Sequence, residues 1–205
     1  METAEKTSLT DKIIKGLRKA AEELEQFRLQ ASLGKAQAKD IYEEAKKKFD
    51  VYIHEAKLRL DNAKGIAAEK VIQLKTALEE LQLQLALGKA ETKEAFEEQR
   101  KKIEHALHSL EAFLRSNKTS NEYYSTLLME TEKFRIKLDI LHMHYKLNRL
   151  SKLEKLEEKK TDLSKKLSDL KNRLAKREQE AEGKWEHFRE EISDAYTHLK
   201  KAFVG

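Results

Sequence analysis

The side chains best equipped for chemistry in this 205-residue chain are its 7 histidines and 37 carboxylates. His105 and His108 stand three apart on one helical face, with Glu104 and Glu111 close by. A carboxylate-bridged metal pair in a helical bundle needs Glu-x-x-His on two helices, and a zinc peptidase needs His-Glu-x-x-His. Neither pattern occurs, and the nearest approach is a single Asp139-x-x-His142. Three histidines instead follow an acid by one helical turn: Asp50 before His54, Glu104 before His108, Asp194 before His198. That spacing predicts local pairing. Adjacent glutamates recur along the chain, but two carboxylates work as acid and base only across a cleft. No glycine-rich phosphate loop, Gly-x-Ser-x-Gly elbow or dinucleotide fingerprint is present. The absence of cysteine excludes thiolate ligands and disulfides. The expectation is no catalytic residue, no metal and no cofactor.

Two cationic clusters, Lys46-Lys47-Lys48 and Arg100-Lys101-Lys102, have the composition of anion sites. Each follows a glutamate pair by four residues, giving Glu43–Lys47, Glu44–Lys48, Glu97–Lys101 and Glu98–Lys102. In that order such pairs support an exposed helix by about 0.2–0.5 kcal/mol each, which predicts a solvated face.

The elements that must carry these groups are helices. Charged residues make up 39% of the chain, proline is absent and only 6 glycines occur, which removes the turn residues a β-rich or doubly wound fold needs. Apolar runs such as Leu127-Leu128-Met129 are far shorter than the roughly 20 residues of a membrane span, and Met1–Ser8 lacks an apolar leader core. A cytoplasmic location follows as the expectation.

A shift of 54 positions superposes one segment on another. Leu33-Gly34-Lys35-Ala36 falls on Leu87-Gly88-Lys89-Ala90, Glu43-Glu44 on Glu97-Glu98, and His54 on His108. The apolar seam repeats with it. The first copy reads Ile13, Leu17, Ala20, Leu24, Phe27, Ala31, Gly34, Ala38, Tyr42, Ala45, Phe49, Ile53, Ala56, Leu60. The second reads Ala67, Val71, Leu74, Leu78, Leu81, Leu85, Gly88, Thr92, Phe96, Gln99, Ile103, Leu107, Leu110, Leu114. A diverged third, 89 positions on, reads Leu156, Lys160, Leu163, Leu167, Leu170, Leu174, Arg177, Ala181, Trp185, Phe188, Ile192, Tyr196, Leu199, Phe203. Spacings of 4 and 3 give way to 3-4-4, the periods of left-handed and of relaxed supercoils.

Turn residues at 61–65 and 116–121 predict helices over about 8–61, 65–115 and 121–203. Ser151 and Glu154 have the spacing of a capping box, but the leucines around them continue the apolar face and favour an unbroken last helix. Gly34 and Gly88 then fall mid-helix, where glycine costs about 1 kcal/mol against alanine. They mark either a chain reversal or a close helix crossing, and the strong helix formers around them favour the crossing.

Residues 151–177 carry ten Lys/Arg and five Asp/Glu, while 178–205 carry four and seven. Leucines at coiled-coil spacing run through the basic stretch, and no aromatic stacking platform accompanies it. Pairing between helices is therefore favoured over nucleic acid.

The two Leu-Gly-Lys-Ala segments, each followed by an aromatic-Glu-Glu run, resemble poorly characterised bacterial coiled-coil proteins over residues 24–60 and 78–114. The resemblance implies an all-α coiled coil and brings no activity with it. Apolipoprotein-type amphipathic repeats are also similar, but they are punctuated by proline, which this chain lacks.

These readings combine into one expectation. The chain is an all-α, elongated antiparallel coiled coil of three or four long helices, one domain over 1–205. Its repeat units fall at about 8–61, 62–115 and 151–205, with 116–150 inserted. Its expected role is non-enzymatic scaffolding through self-association as a homodimer or higher homo-oligomer. The alternative is a peripheral protein of the crescent-dimer or apolipoprotein-like kind, touching an anionic membrane surface weakly. A continuous 121–203 helix would reach roughly 125 Å and outrun its partners. Trp185, Phe188, Ile192, Tyr196, Leu199 and Phe203 would then form the self-association surface, and Gly34 with Gly88 the helix crossing.

Overall fold

The computed structural model describes residues 9–32, 35–61, 66–116, 122–147, 161, 165–170, 172 and 184–204. Side chains are described for all of these except 9, 35–37, 61, 115–116, 122, 145–147 and 184–188. The described residues are helical apart from short connections, and no strand occurs among them. The helices are α1 (Leu9–Ala31), α2 (Lys35–Asp61), α3 (Ala68–Leu85), α4 (Lys93–Ser116), α5 (Glu122–Leu147) and α6 (Lys184–Phe203), with a further helical stretch at 165–170.

The seam is the core. In the first copy every described position is buried, from Ile13 to Leu60. In the second, Leu74, Leu78, Leu81, Leu85, Phe96, Ile103, Leu107, Leu110 and Leu114 are buried. Each such side chain contributes about 1.5–3 kcal/mol when removed from water, far more than any helix propensity, so burial of this stripe fixes the helix rotations. Leu167, Leu170, Ile192, Tyr196, Leu199 and Phe203 of the third copy are buried too.

Helix boundaries depart from the sequence expectation. The chain is not helical from 65 to 115: α3 ends at Leu85 and α4 begins at Lys93. Thr92 caps α4, its Oγ1 accepting the Ala95 N–H at 3.1 Å, which satisfies one of the unpaired donors of a helix start. Lys70, in the first turn of α3, holds its ammonium 5.8 Å from the ring of Phe113 near the end of α4, so the chain doubles back between them. α1 likewise ends at Ala31, with Ser32 in a turn, and α2 is a separate helix from Lys35, so the expected 8–61 helix is divided too. The Lys137 ammonium of α5 lies 5.5 Å from the Phe27 ring near the end of α1. The expected break near Ser151 and the continuity of 121–203 both fall on residues 148–160 and 173–183, outside the described residues.

Gly88 therefore lies between helices, not within one, and a Cβ built on it meets nothing within 4 Å. It is not a point of close helix approach. Gly34 lies outside the described residues. The close approach occurs at Gly16 of α1, where a Cβ would collide with the Met129 methyl of α5.

By contact the chain divides into two compact units: residues 1–26, 118–133 and 151–205 form one, and 27–117 with 134–150 the other. In the first, Tyr124, Leu127, Leu128 and Met129 of α5 are buried along with Ser125, Thr131 and Lys133. In the second, Phe134, Ile136, Leu138, Ile140, Leu141 and His144 are buried. Helix α5 thus buries side chains around most of its circumference, with Thr126 exposed, as befits a helix that lacks a single apolar stripe. The inserted segment thus supplies core side chains of its own.

Candidate functional site

Buried polar groups are where a helical protein shows what its chemistry is for, because each must be compensated to be tolerated. In the second unit one such group dominates. Lys46 is 3% exposed, although the sequence placed it on a solvated face. Its neighbours Lys47 and Lys48 are exposed, as expected, because they project one and two helical steps away from the seam.

The compensation comes from three directions. The Lys46 ammonium donates to the Leu87 carbonyl at 3.0 Å, the Gly88 carbonyl at 3.5 Å and Gln99 Oε1 at 3.3 Å. Glu43 Oε2, one turn back on α2, lies 3.0 Å away. The face of Tyr42 closes the site, 4.9 Å from the ammonium. Both carbonyls lie in the turn that follows Ala86, the C-cap of α3, close to the negative end of that helix, where a cation is stabilised. Gln99 of α4 ties the corner from the far side. It donates from Nε2 to the Gly88 carbonyl at 2.5 Å and accepts the Tyr42 hydroxyl at 3.1 Å. Glu43 Oε1 accepts the Ala90 N–H at 3.3 Å. Beneath these bonds Tyr42 and Phe96 meet edge to face, ring centroids 5.0 Å apart.

A second corner forms 54 residues further on. Glu97 Oε2 is 3.3 Å from Arg100 Nε, Arg100 also binds Glu104, and Glu97 Oε1 lies 2.5 Å from His142 Nδ1 of α5. Arg135 of α5 reaches Glu111 of α4 at 2.8 Å. In the first unit Lys133 is buried between Glu23 at 2.9 Å and Glu130 at 2.7 Å. Burial pulls its ammonium toward deprotonation, but the two carboxylates outweigh that and hold it above the ordinary lysine range. Arg28 is also buried, and burial lowers it from the usual arginine value.

These arrangements can hold helices in place. A lysine acting as nucleophile or base needs a lone pair and access to a substrate. The Lys46 ammonium is instead enclosed by four acceptors and a ring. Among the described residues no three His, Asp or Glu side chains are placed to hold a metal. Asp50 accepts from Gln82 at 2.9 Å and Glu104 binds Arg100, while His54 and His108 are exposed, so the expected Asp50–His54 and Glu104–His108 pairs do not form. The outer pairs do form, Glu44–Lys48 at 2.6 Å and Glu98–Lys102 at 2.9 Å, whereas Glu43 and Glu97 pair three residues on, not four. A surface groove of about 520 Å3 runs along α1, where Asp11, Lys15, Arg18, Lys19 and Glu22 line it with both signs of charge.

The expected self-association surface is placed differently from the overhang that motivated it. Ile192, Tyr196, Leu199 and Phe203 are buried within the chain, at 0%, 3%, 0% and 1% exposure. They are covered without a second subunit. The side chains of Trp185 and Phe188 lie outside the described residues. No helix among the described residues is long and apolar enough to cross a membrane. Compared with known proteins, the chain matches no family model, no curated protein and no solved structure.

Proposed function

We propose that this chain is a non-catalytic structural protein of the cytoplasm. In this reading it is an antiparallel helical scaffold built from a 54-residue hairpin unit, acting through self-association and helix–helix contact. One observation carries the reading: the buried Lys46 ammonium is consumed in joining α2 to the turn between α3 and α4 and to Gln99 of α4. Repeat equivalence supports the hairpin unit. Tyr42 and Phe96 are 54 positions apart and in ring contact, and Glu43–Lys46 and Glu97–Arg100 repeat the same three-residue pairing.

Sedimentation velocity on the full chain tests this, since it reports mass and shape together. A concentration-dependent shift to a dimer or larger species is the expected result. A monomer at every concentration up to about 100 µM removes self-association from the proposal.

A further inference from the structure

Helix α5 lacks the feature that orients its neighbours. A helix with one apolar stripe gains most by turning that stripe inward, which fixes its rotation. From Leu127 to His144 every side chain of α5 is buried or half-buried. Leu127, Leu128 and Met129 alone, about 100° apart around the axis, are all buried. Several rotations and levels of such a helix therefore bury similar apolar area, and burial by itself chooses weakly among them.

On the side of α5 that faces α1, Met129 meets Gly16 and, one turn on, the Lys133 ammonium meets Glu23 at 2.9 Å. Both contacts rise together along the chain, so α1 and α5 run side by side in the same direction. The Met129 contact is the less selective, because a thioether chain bends to fit irregular gaps. Lys133 is demanding. Its side chain is 11% exposed, whereas those of Glu23 and Glu130 are 33% and 31% exposed, so the acids can turn to water and the lysine cannot. Glu130 belongs to α5 and accompanies Lys133 at every level, which leaves the choice to Glu23. A slip of one turn brings Lys133 level with Lys19 in one direction, and with Phe27 and the buried Arg28 in the other. Each slip exchanges an acid for a cation.

We propose that the Glu23–Lys133 ion pair is a register key: it selects one level and rotation of α5 against α1 and adds little to the stability of the packed helices. An enclosed ion pair gains little over apolar packing of the same volume, but it strongly disfavours any arrangement that parts the two charges. The second unit carries the same kind of contact on another side of α5, where Arg135 reaches Glu111 at 2.8 Å and His142 reaches Glu97, both on α4. Arg135 and His142 stand two turns apart and so share that side. A helix apolar around most of its circumference is thus addressed to each neighbour by charge.

The chain has no cysteine, so spin labels on Gln26→Cys and Thr126→Cys, both exposed, report on these two helices of the full chain. Pulsed electron paramagnetic resonance should give one narrow distance in the labelled parent. A slip of one turn changes the separation along the axis by about 5 Å. Lys133→Met and Glu23→Ala should each broaden or split the distance by about that amount, with the circular dichroism of the parent retained. Lys133→Arg and Glu130→Ala should leave it single, since both keep a cation opposite Glu23. An unchanged single distance in Lys133→Met and Glu23→Ala overturns the proposal, because packing then sets the register. Loss of helix in those two variants overturns it as well, because the pair then supplies stability and not choice. Equal broadening in Glu130→Ala, or several distances in the parent, has the same consequence.

Discussion

The two polar corners of the second unit are near copies in sequence and different in consequence. Glu43 and Lys46 stand to α2 as Glu97 and Arg100 stand to α4, and in both the acid pairs with the base three residues on. Lys46 is 3% exposed and its partners are mainly backbone carbonyls from a turn some forty residues away. The Arg100 side chain is 14% exposed and its partners are two carboxylates of its own helix, themselves in reach of water. The same local pair is a keystone at one end of the repeat and a surface brace at the other. What differs is that the turn between α3 and α4 presents the Leu87 and Gly88 carbonyls to Lys46. A cation gains most where it answers groups that have no other partner, and least where water could replace it.

Removing the lysine gives the largest expected effect. Lys46→Met fills the same space, takes the lysine donor from the Leu87 carbonyl and leaves the Gly88 carbonyl to Gln99, at a cost of about 2–4 kcal/mol. Arg100→Met costs about 1 kcal/mol or less, because Glu97 and Glu104 can turn to water. Urea denaturation of both variants measures the pair; equal losses would break the comparison.

Gln99→Ala comes next, at about 1–3 kcal/mol, since it takes the acceptor at 3.1 Å from the Tyr42 hydroxyl and removes a second donor from Gly88. If the corner acts as one network, the double variant with Lys46→Met loses less than the sum of the singles, which a double-mutant cycle reads directly.

The outer pairs should show no such asymmetry. Hydrogen bonding to Lys48 and Lys102, with their charge, lowers the carboxyls of Glu44 and Glu98 below the usual range. A carboxylate lowered in the folded state contributes stability above its ordinary value and loses it as pH falls through the folded one. Both groups are open to solvent, so that contribution is small and screened by salt. Melting temperatures of Glu44→Gln and Glu98→Gln measured from pH 6 to 3 should fall together and converge with wild type in about 1 M salt. A clear difference between the two would extend the asymmetry of the corners to the outer face.

The smallest effect belongs to Gly88→Ala, within about 0.5 kcal/mol of wild type, because its Cβ enters open space. A marked loss on thermal melting would mean that the backbone there, not Lys46, holds the corner. Gly16→Leu serves as the contrast, since it forces Met129 out of a packed position at about 1–3 kcal/mol.

Much of this was legible in the residues alone. Which side chains form the core follows from period, because a helix presents every third or fourth residue to one face whatever lies opposite. Ile13 through Leu60, and Leu74 through Leu114, went where that rule puts them, with Ala67, Val71, Gly88, Thr92 and Gln99 as the positions that did not. The local pairs Glu44–Lys48 and Glu98–Lys102 followed from spacing for the same reason. Other features depended on partners distant in sequence. Gly88 costs a helix about 1 kcal/mol, too little on its own to end one. What completes the break is a lysine from α2 and a glutamine from α4 that satisfy the freed carbonyls. Helix α5, apolar without a stripe, carried no periodic signal to say which of its side chains are buried, and only packing around most of its circumference decides that. Lys46 and Lys47 are one position and the same side chain apart in type. Local rules cannot rank them, and the tertiary fold decides by setting one against the turn between α3 and α4 and the other against water.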